Sequence, residues 1–398
     1  MRKITKIKTR KTMKKRKTRK IRKTKYHSRL VGKLPKGCRQ CVRGEKLVMF
    51  VTGVCPRNCY YCPVSEKKRF KDVTYANEWE AGNEDEKKMI NSVIKEAELC
   101  NSKGMGMTGG DPLARIDRTA RLIRAMKRRF GKEFHVHLYT SPVSVTTERL
   151  DKLHKARLDE IRLHLDLYDK VFWNRLDLVN KYDWDTGIEI PVIPGQEEKI
   201  IEMVKYIRNK VKFLNLNEFE ISEDNIGEFL KRGLLTKNKV SYAVKGSEES
   251  AKKVLKYCAE NTKLDVHYCT AKLKDKVQMT ERIKRRAKNA KRRFDVMLED
   301  GILYRGAFYP GSIKSRFHAI DLPKLRKAMV HIKKRYEIPN GMIELDQKRA
   351  RILTSPLFIK ELGENKEELG KIKKLGLIPA LIKEYPTEDA FIVELVKY

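Results

Sequence analysis

The sequence contains no apolar run that approaches the ~18 residues of a membrane-spanning helix, and no signal-peptide core follows its charged start. It also lacks the compact cysteine framework of a small secreted protein, because its eight cysteines are spread along 398 residues. These absences exclude a membrane span and a disulfide scaffold. They predict a soluble, cytoplasmic protein with reduced cysteines.

Glutamine is scarce: only four occur in the chain, whereas Lys, Arg and Glu are abundant. The same bias is found in hyperthermophile proteins, so the composition predicts a thermophilic host. Hydrophobic residues make up 40% of the chain, which is enough to build the core of one large domain and a smaller one.

Acidic residues are absent before Glu45, although the whole chain carries 90 Lys and Arg and a net charge of +38. Residues 1–25 form a Lys/Arg/Thr tract with almost nothing apolar to bury, so we expect a disordered basic arm over residues 1–30. Such an arm can bind RNA by neutralising phosphates. A solvated tail, or a true start at Met13 or a later codon, would explain the tract equally well.

Three cysteines lie within eight residues, in the run Cys55-Pro-Arg-Asn-Cys59-Tyr-Tyr-Cys62, directly after the apolar segment 46–53. This spacing is the signature of a [4Fe-4S] cluster in which protein thiolates hold only three irons. The fourth iron can then take an exogenous ligand, as a catalytic zinc does when it keeps an open position. A partial zinc site or part of a ferredoxin-like ligand set would also contain such a triplet.

A second motif follows downstream, where Gly109-Gly110-Asp111-Pro112 ends an apolar segment. The two glycines permit dihedral angles and close backbone approaches that a Cβ would forbid, so a strand can end here in a sharp turn with exposed amides and carbonyls. Those groups can hold an ammonium. Taken alone, the motif also fits an ordinary strand-to-helix turn in which Asp111 is the N-cap.

Together the two motifs resemble those of the radical S-adenosylmethionine (SAM) superfamily, and within it the uncharacterised archaeal and bacterial proteins related to pyruvate formate-lyase activating enzymes. The resemblance covers residues 37–294 and is strongest over 46–112, with Asp111 where the superfamily usually has Glu. It implies an enzyme with oxidoreductase chemistry whose [4Fe-4S] cluster, held by Cys55, Cys59 and Cys62, reductively cleaves SAM. The resulting 5′-deoxyadenosyl radical would abstract hydrogen from an unknown substrate, and an external donor, ferredoxin or flavodoxin, would supply the electron.

The resemblance also implies which residues contact SAM. The aromatic residue before the third cysteine is typical of the family's loop, the glycine turn contacts the amino group of SAM, and the fourth to sixth strands supply ribose and adenine contacts. Polar or apolar residues at strand ends complete the set, although a pair such as His164 and Asp166 would be equally ordinary at any strand end. No catalytic residue is predicted. The candidate cofactor-binding residues are Tyr61, Gly109, Gly110, Asp111, Pro112, Ser141, Asp166, Ile193, Asn217 and Glu218.

Short apolar runs alternate with longer amphipathic stretches from residue 46 onward, which is typical of βα units and a parallel sheet. The predicted strands are 46–53, 104–108, 134–140, 159–166, 187–193 and 213–221. The predicted helices are 78–102, 115–130, 146–156, 169–181 and 197–210. By resemblance these units form a partial (β/α)6 barrel of the α/β class, and both motifs then lie at the carboxyl ends of its strands, where barrel active sites are built.

Cys38 and Cys41 have the two-residue spacing that is common in zinc and iron-sulfur sites. A pair is only half a site. His267 and Cys269 would complete a second metal site, zinc or iron-sulfur, if the end of the barrel returns beside its start. The alternative is a reduced structural pair.

The last part of the chain changes in character. Residues 271–294 predict a strongly basic helix that either tracks a phosphate backbone or presents a solvated face. Residues 296–398 predict a small α+β domain that begins with a hairpin around Asp300-Gly301 and also contains strands near Met342 and Phe391.

The substrate is not encoded in the motifs. The basic arm and basic helix favour RNA, whereas the family relationship favours a protein or peptide. A different class of function also stays open: a nonenzymatic iron-sulfur protein that binds RNA or transfers electrons would hold its cluster with a fourth protein ligand and would not cleave SAM.

Overall fold

The computed structural model describes residues 18–82, 84–311 and 322–398. The larger of its two sheets has eleven strands. In chain order they are β1 (Ile21–Lys23), β2 (Arg29–Val31), β3 (Lys46–Phe50), β4 (Tyr75–Ala76), β5 (Trp79–Glu80), β6 (Gly104–Thr108), β7 (His135–Thr140), β8 (Glu160–Leu163), β9 (Asp185–Val192), β10 (Phe213–Glu218) and β11 (Asp265–Cys269).

Seven parallel strands form the middle of this sheet. The strand order is β1-β2-β11-β10-β9-β8-β7-β6-β3-β4-β5, and every neighbouring pair from β11 to β3 is parallel. Antiparallel strands flank the parallel part on both sides. The six predicted strands are confirmed, and β11 is the seventh parallel strand of the partial barrel.

Helices connect the strands, as a parallel sheet requires. They are α1 (Lys36–Cys41), α2 (Glu86–Leu99), α3 (Ile116–Phe130), α4 (Thr147–Lys155), α5 (Arg175–Val179), α6 (Glu197–Ile207), α7 (Ile226–Lys231), α8 (Ser247–Asn261), α9 (Ala271–Leu273) and α10 (Thr280–Ala290). Short 3₁₀ helices lie at Pro112–Arg115 and Pro142–Ser144, and a π-helix lies at Lys274–Met279.

The parallel strands have two chemically different faces, because successive side chains point to opposite sides of a sheet. One face is apolar and packs on the helices; Met49, Met105 and Leu138 are fully buried there. The other face is polar. On it, the Glu189 carboxylate accepts hydrogen bonds from Arg162 and Asn215, both at 2.8 Å.

The smaller sheet belongs to the C-terminal part of the chain and is antiparallel. Its order is β14-β15-β13-β16-β17, with β12 paired to β13. Three helices accompany it, and Phe308, Ile352 and Ile359 belong to the core that they share. The elements are β12 (Val296–Met297), β13 (Leu303–Pro310), α11 (Leu322–Arg335), β14 (Ile343–Asp346), β15 (Arg351–Thr354), α12 (Pro356–Glu364), α13 (Lys366–Lys374), β16 (Leu377–Glu384) and β17 (Ile392–Lys397).

This part confirms the predicted hairpin, because Val296 pairs with Tyr304 across Asp300-Gly301. The two sheets occupy separate stretches of the chain, although β1 and β2 of the larger sheet lie before residue 37. The domain boundaries at 37–294 and 296–398 stay a prediction. The sequence reading did not identify α11 to α13, β15 or β16.

The predicted disordered arm over residues 1–30 is wrong for its last third. Residues 1–17 lie outside the described residues, but β1 and β2 form a hairpin that pairs with β11. Arg19 also forms an ion pair with Asp265 at 2.8 Å. Backbone pairing to an open sheet edge does not require apolar side chains, so composition alone could not reveal it.

The predicted basic helix over 271–294 is divided into α9, the π-helix and α10, which ends at Ala290. Much of its charge is turned inward. Arg286 forms an ion pair with Glu96 on α2 at 2.9 Å, and Arg282 pairs with Glu78 at 2.6 Å. Arg285 donates to the carbonyl of Cys100, just after α2, at 3.1 Å. Arg285 and Arg286 hold α10 on α2, and Arg282 holds it on the turn between β4 and β5; neither predicted role describes these arginines.

Among the described residues, no helix combines the length and the apolar character that crossing a membrane demands.

Candidate active site

The two sequence motifs meet at the carboxyl ends of β3 and β6, which are parallel neighbours. We call residues 55–62 the cysteine loop and residues 109–112 the glycine turn. The amide of Gly110 donates to Thr52 O at 2.7 Å, and the amide of Asp111 donates to Val54 O at 2.9 Å. Backbone hydrogen bonds therefore attach the glycine turn to the residues that lead into the cysteine loop.

Both glycines are required by this close approach. Gly109 has a φ of +138°, and a Cβ there would lie 2.3 Å from Thr52 O. A Cβ on Gly110 would lie 2.5 Å from the carbonyl oxygens of Gly53 and Val54. Backbone atoms cannot move aside as a flexible side chain would, so only glycine fits both positions.

The Asp111 carboxylate is buried, and both of its oxygens accept hydrogen bonds. It accepts hydrogen bonds from Leu113 N at 3.0 Å, Thr140 Oγ1 at 2.8 Å, Ser141 N at 3.2 Å and Ser144 Oγ at 2.7 Å. Burial raises the pKa of Asp111, although these hydrogen bonds act in the opposite direction. Asp111 thus caps the 3₁₀ helix that begins at Pro112 and also ties the glycine turn to the end of β7.

Ser141 has a similar local task. Its hydroxyl accepts a hydrogen bond from Val143 N at 3.4 Å and caps the 3₁₀ helix at Pro142–Ser144.

The thiols of Cys55, Cys59 and Cys62 are partly exposed, and none is in a disulfide. Partial burial raises the pKa of Cys55, and Asp111 adds to the effect. Within the described residues, no three His, Cys, Asp or Glu side chains converge on a single metal ion. In a cubane each cysteine binds a different iron, so its sulfurs need not converge on one point. Three thiols on one short loop are the type of ligand that a [4Fe-4S] cluster requires.

Two other side chains of the cysteine loop contact the end of β8. Arg57 forms an ion pair with Asp166, and the hydroxyl of Tyr61 lies 2.9 Å from His164 Nε2. Burial and the Arg57 charge lower the pKa of His164 to about 4, so the imidazole is neutral near pH 7. Burial raises the pKa of Tyr61, so the phenol keeps its proton and can donate it to His164.

The segment after β10, residues 219–246, packs beside the cysteine loop, and we call it the flanking segment. Phe219 lies 5.8 Å from Tyr61 between ring centroids, and Arg232 lies 4.2 Å from the Tyr60 ring centroid. Ile193 belongs to the same apolar cluster. The predicted Tyr61 thus packs against the cluster to which the predicted Ile193 belongs.

Asn217 and Glu218 are neighbours in β10 and consequently point to opposite faces of the sheet. The Asn217 amide donates to Glu189 at 2.9 Å on the polar face. Glu218 instead accepts a hydrogen bond from Ala271 N, at the start of α9, at 2.9 Å. The structure thus brings Asn217 but not Glu218 to the polar face.

Sequence reasoning missed Glu189 and Arg162, which organise the polar face beneath the mouth of the barrel. Arg162 also pairs with Glu160, and its side chain is only 2% exposed. The available signal was a charged residue between apolar neighbours, as in Ile161-Arg162-Leu163 and Ile188-Glu189-Ile190.

The residues of the suggested second metal site lie within the barrel. Asn215 donates to Cys38 Sγ at 3.3 Å, and His267 Nε2 lies 3.1 Å from Ser28 Oγ. Burial raises the pKa values of the Cys38, Cys41 and Cys269 thiols, that of Cys38 to about 12. The charges of Cys38 and Cys41 act on the Cys269 thiol, so the fold brings these cysteines near one another. No three of the predicted ligands converge on a single ion within the described residues, and the second metal site stays a prediction.

Comparison with known proteins agrees with this geometry. A family model described as "Radical SAM superfamily" matches residues 49–215, which include both motifs. A relative from Methanocaldococcus jannaschii, named "Putative glycyl-radical enzyme activating enzyme", is 42% identical over 385 residues. The match covers 94% of this chain and 95% of the relative.

Solved structures with a similar arrangement are far more distant. SuiB of Streptococcus suis, bound to the precursor peptide SuiA, gives a TM-score of 0.41 at 13% identity and matches 57% of this chain and 48% of that chain. Coproporphyrinogen III oxidase (HemN) from Escherichia coli gives a TM-score of 0.31 at 11% identity, over 86% of this chain and 92% of that one. Scores this low support no further conclusion.

Proposed function

Because this chain belongs to the radical SAM superfamily, in a group related to glycyl-radical enzyme activating enzymes, we propose that Cys55, Cys59 and Cys62 hold a [4Fe-4S] cluster beside a SAM molecule bound at the glycine turn. The observation that carries the proposal is the backbone contact between the glycine turn and the residues just before the cysteine loop. Gly110 N and Asp111 N donate to Thr52 O and Val54 O, so the glycine turn is attached to the segment from which the cysteine loop begins.

When bound, the cluster would supply one electron to SAM. A ferredoxin or flavodoxin would supply that electron to the cluster. The chain's own residues would bind SAM and orient it. The glycine turn offers backbone groups to the amino group of SAM, and Asp111 and Pro112 keep the shape of that turn. Tyr61 packs against the apolar cluster that contains Ile193, and this packing would keep water from that side of the loop.

The first test is anaerobic reconstitution with iron and sulfide, addition of SAM and dithionite, and chromatography for 5′-deoxyadenosine. We expect product from the wild type and none from Cys59→Ser. Cys258→Ser is the matched control, because Cys258 is buried on α8 far along the chain and should leave the yield unchanged. A wild-type protein that holds an intact cluster but yields no 5′-deoxyadenosine would favour the nonenzymatic alternative and would contradict the proposal.

For the substrate we propose a polypeptide. The relative's name refers to activation of an enzyme. In addition, Ile226, Leu230 and Leu235 of the flanking segment are 48%, 56% and 59% exposed beside the cysteine loop. Exposed aliphatic side chains suit a protein interface.

Hydrogen transfer distinguishes the two substrate classes. Protein and RNA fractions from source cells grown in deuterated medium would be added separately to the anaerobic assay. We expect deuterium in 5′-deoxyadenosine, read by mass spectrometry, only with the protein fraction. Deuterium transfer from the RNA fraction alone would overturn the polypeptide proposal and leave the SAM chemistry standing.

A further inference from the structure

Two contacts join the cysteine loop to the carboxyl end of β8. Arg57, two residues after Cys55, forms an ion pair with Asp166. Tyr61, directly before Cys62, hydrogen-bonds to His164. Arg57 lies between Cys55 and Cys59, and Tyr61 lies between Cys59 and Cys62. The two contacts therefore hold the loop in both of the stretches between its cysteines.

Asp166 is itself held in place. Its Oδ1 accepts hydrogen bonds from Tyr168 N at 2.8 Å and Asp169 N at 3.1 Å, while Oδ2 faces Arg57. Partial burial acts to raise the pKa of Asp166, but the two backbone amides and Arg57 lower it, so the carboxylate is charged at neutral pH. The Arg57 side chain is only 16% exposed, which limits screening of the pair by solvent.

His164 is fixed from the sheet. Its backbone amide donates to Thr140 O at 2.9 Å, which extends the pairing of β8 with β7. The ring is tilted against Tyr61, with 6.0 Å between the ring centroids. Both partners of the cysteine loop therefore sit on the rigid end of a central strand.

We propose that Asp166 and His164 are positioning residues that hold Arg57 and Tyr61 and thereby place the three cysteine thiols for the cluster. This inference rests on the proposed function, because the cluster is the group that the thiols are placed for. It also gives Asp166 a different role from the direct cofactor contact that the sequence reading assigned to it. A flexible eight-residue loop would have to be ordered at each cluster assembly, and the two contacts remove most of that entropic cost beforehand.

A double-mutant cycle tests the ion pair. Asp166→Asn keeps an oxygen for the Tyr168 and Asp169 amides and removes the charge that faces Arg57, and Arg57→Gln removes the other partner. The matched control is Asp159→Asn, which loses an ion pair with Lys127 and also keeps an oxygen for a backbone amide, that of Val136. The match is close, because the Asp159 and Asp166 side chains are each 30% exposed.

The first readout is the rate at which an iron chelator removes the reconstituted cluster under anaerobic conditions. We expect Asp166→Asn and Arg57→Gln each to lose the cluster roughly 5- to 10-fold faster than the wild type, as befits one charge-assisted hydrogen bond. The double variant should be no faster than the single variants, because the two residues act through one contact. Asp159→Asn should match the wild type.

The second readout needs no cluster. Hydrogen exchange of the backbone amides of residues 55 and 57–62 in the apoprotein should be faster in Asp166→Asn and unchanged in Asp159→Asn; Pro56 has no amide hydrogen. An Asp166→Asn variant with wild-type cluster loss and wild-type loop exchange would overturn the inference, as would additive effects in the double variant. A wild type that takes up no cluster would refute the proposed function instead, and the apoprotein exchange would still decide whether the two contacts order the loop.

Discussion

At the scale of single residues, the site depends on places where only one residue type fits. Gly109 and Gly110 were predicted from the sequence, because a glycine pair before an acidic residue signals a sharp turn. The sequence could not show why they are needed. The structure does: the backbone of residues 52–54 passes so close that any Cβ would collide with a carbonyl oxygen.

Gly110→Ala should therefore damage the site. The new methyl group would lie 2.5 Å from two backbone oxygens, so the glycine turn must move away from the cysteine loop. We expect SAM binding, measured by equilibrium dialysis, to weaken at least tenfold and the free energy of unfolding to fall by about 1–3 kcal/mol. Gly227→Ala is the control, since a Cβ there meets nothing within 4 Å and Ala favours its helix. Equal SAM affinity in the two variants would contradict this account.

Asp72 links the approach to the cysteine loop with helix α3. It accepts from Thr52 Oγ1 at 2.8 Å and pairs with Arg115 at 2.9 Å and with Arg118 at 2.6 Å. Partial burial acts to raise the pKa of Asp72, but hydrogen bonds from Arg118, Arg115 and Thr52 hold it well below its usual value.

A depressed folded-state pKa stabilises the fold at pH values above the unfolded pKa of about 4, and this contribution is lost as the pH falls toward the folded value. Asp72→Asn should thus lower the free energy of unfolding by roughly 1–2 kcal/mol at pH 7, and the difference from the wild type should shrink between pH 5 and pH 3. Urea unfolding at a series of pH values measures it. A difference that does not change with pH would refute the assigned charge state.

At the scale of elements, the sequence predicted the strands and helices that have a regular pattern of apolar residues. It missed the elements whose position depends on contacts with residues far away in the chain. Apolar runs located all six expected barrel strands, because a strand buried on a helix-covered face must be apolar. The β1–β2 hairpin was missed, because it is held by backbone bonds to β11. The basic stretch was seen as a helix, but its arginines were not paired with Glu78 and Glu96, which are about 200 residues away in the sequence.

The buried pair between α10 and α2 gives a test at this scale. Arg286→Met would leave Glu96 buried without its partner, and we expect the free energy of unfolding to fall by about 3–5 kcal/mol. The double variant Glu96→Met/Arg286→Met should recover most of that loss, because no unpaired charge remains buried. The exposed Lys288→Met serves as the control and should change stability by less than about 0.5 kcal/mol. A double variant as unstable as the single one would contradict a pairing role for Arg286.

At the scale of the whole molecule, the net charge of +38 does not by itself identify a partner, and RNA stays a prediction. The sequence reading weighed RNA because the charge is high, yet a part of that charge holds α10 on α2 and joins Arg57 to Asp166. Family and fold were accessible from two short motifs and their spacing. The positions of Glu189, Arg162 and the flanking segment were not, because they depend on how the barrel closes around the site.

The central claim is a [4Fe-4S] cluster with one iron open to SAM. Mössbauer spectroscopy of the protein reconstituted with ⁵⁷Fe tests it most directly, because the isomer shift of an iron changes when its own ligands change. We predict four irons per chain, one of which changes its spectrum when SAM is added while the other three keep theirs. Zinc in the cysteine loop, or four irons that do not respond to SAM, would contradict the account.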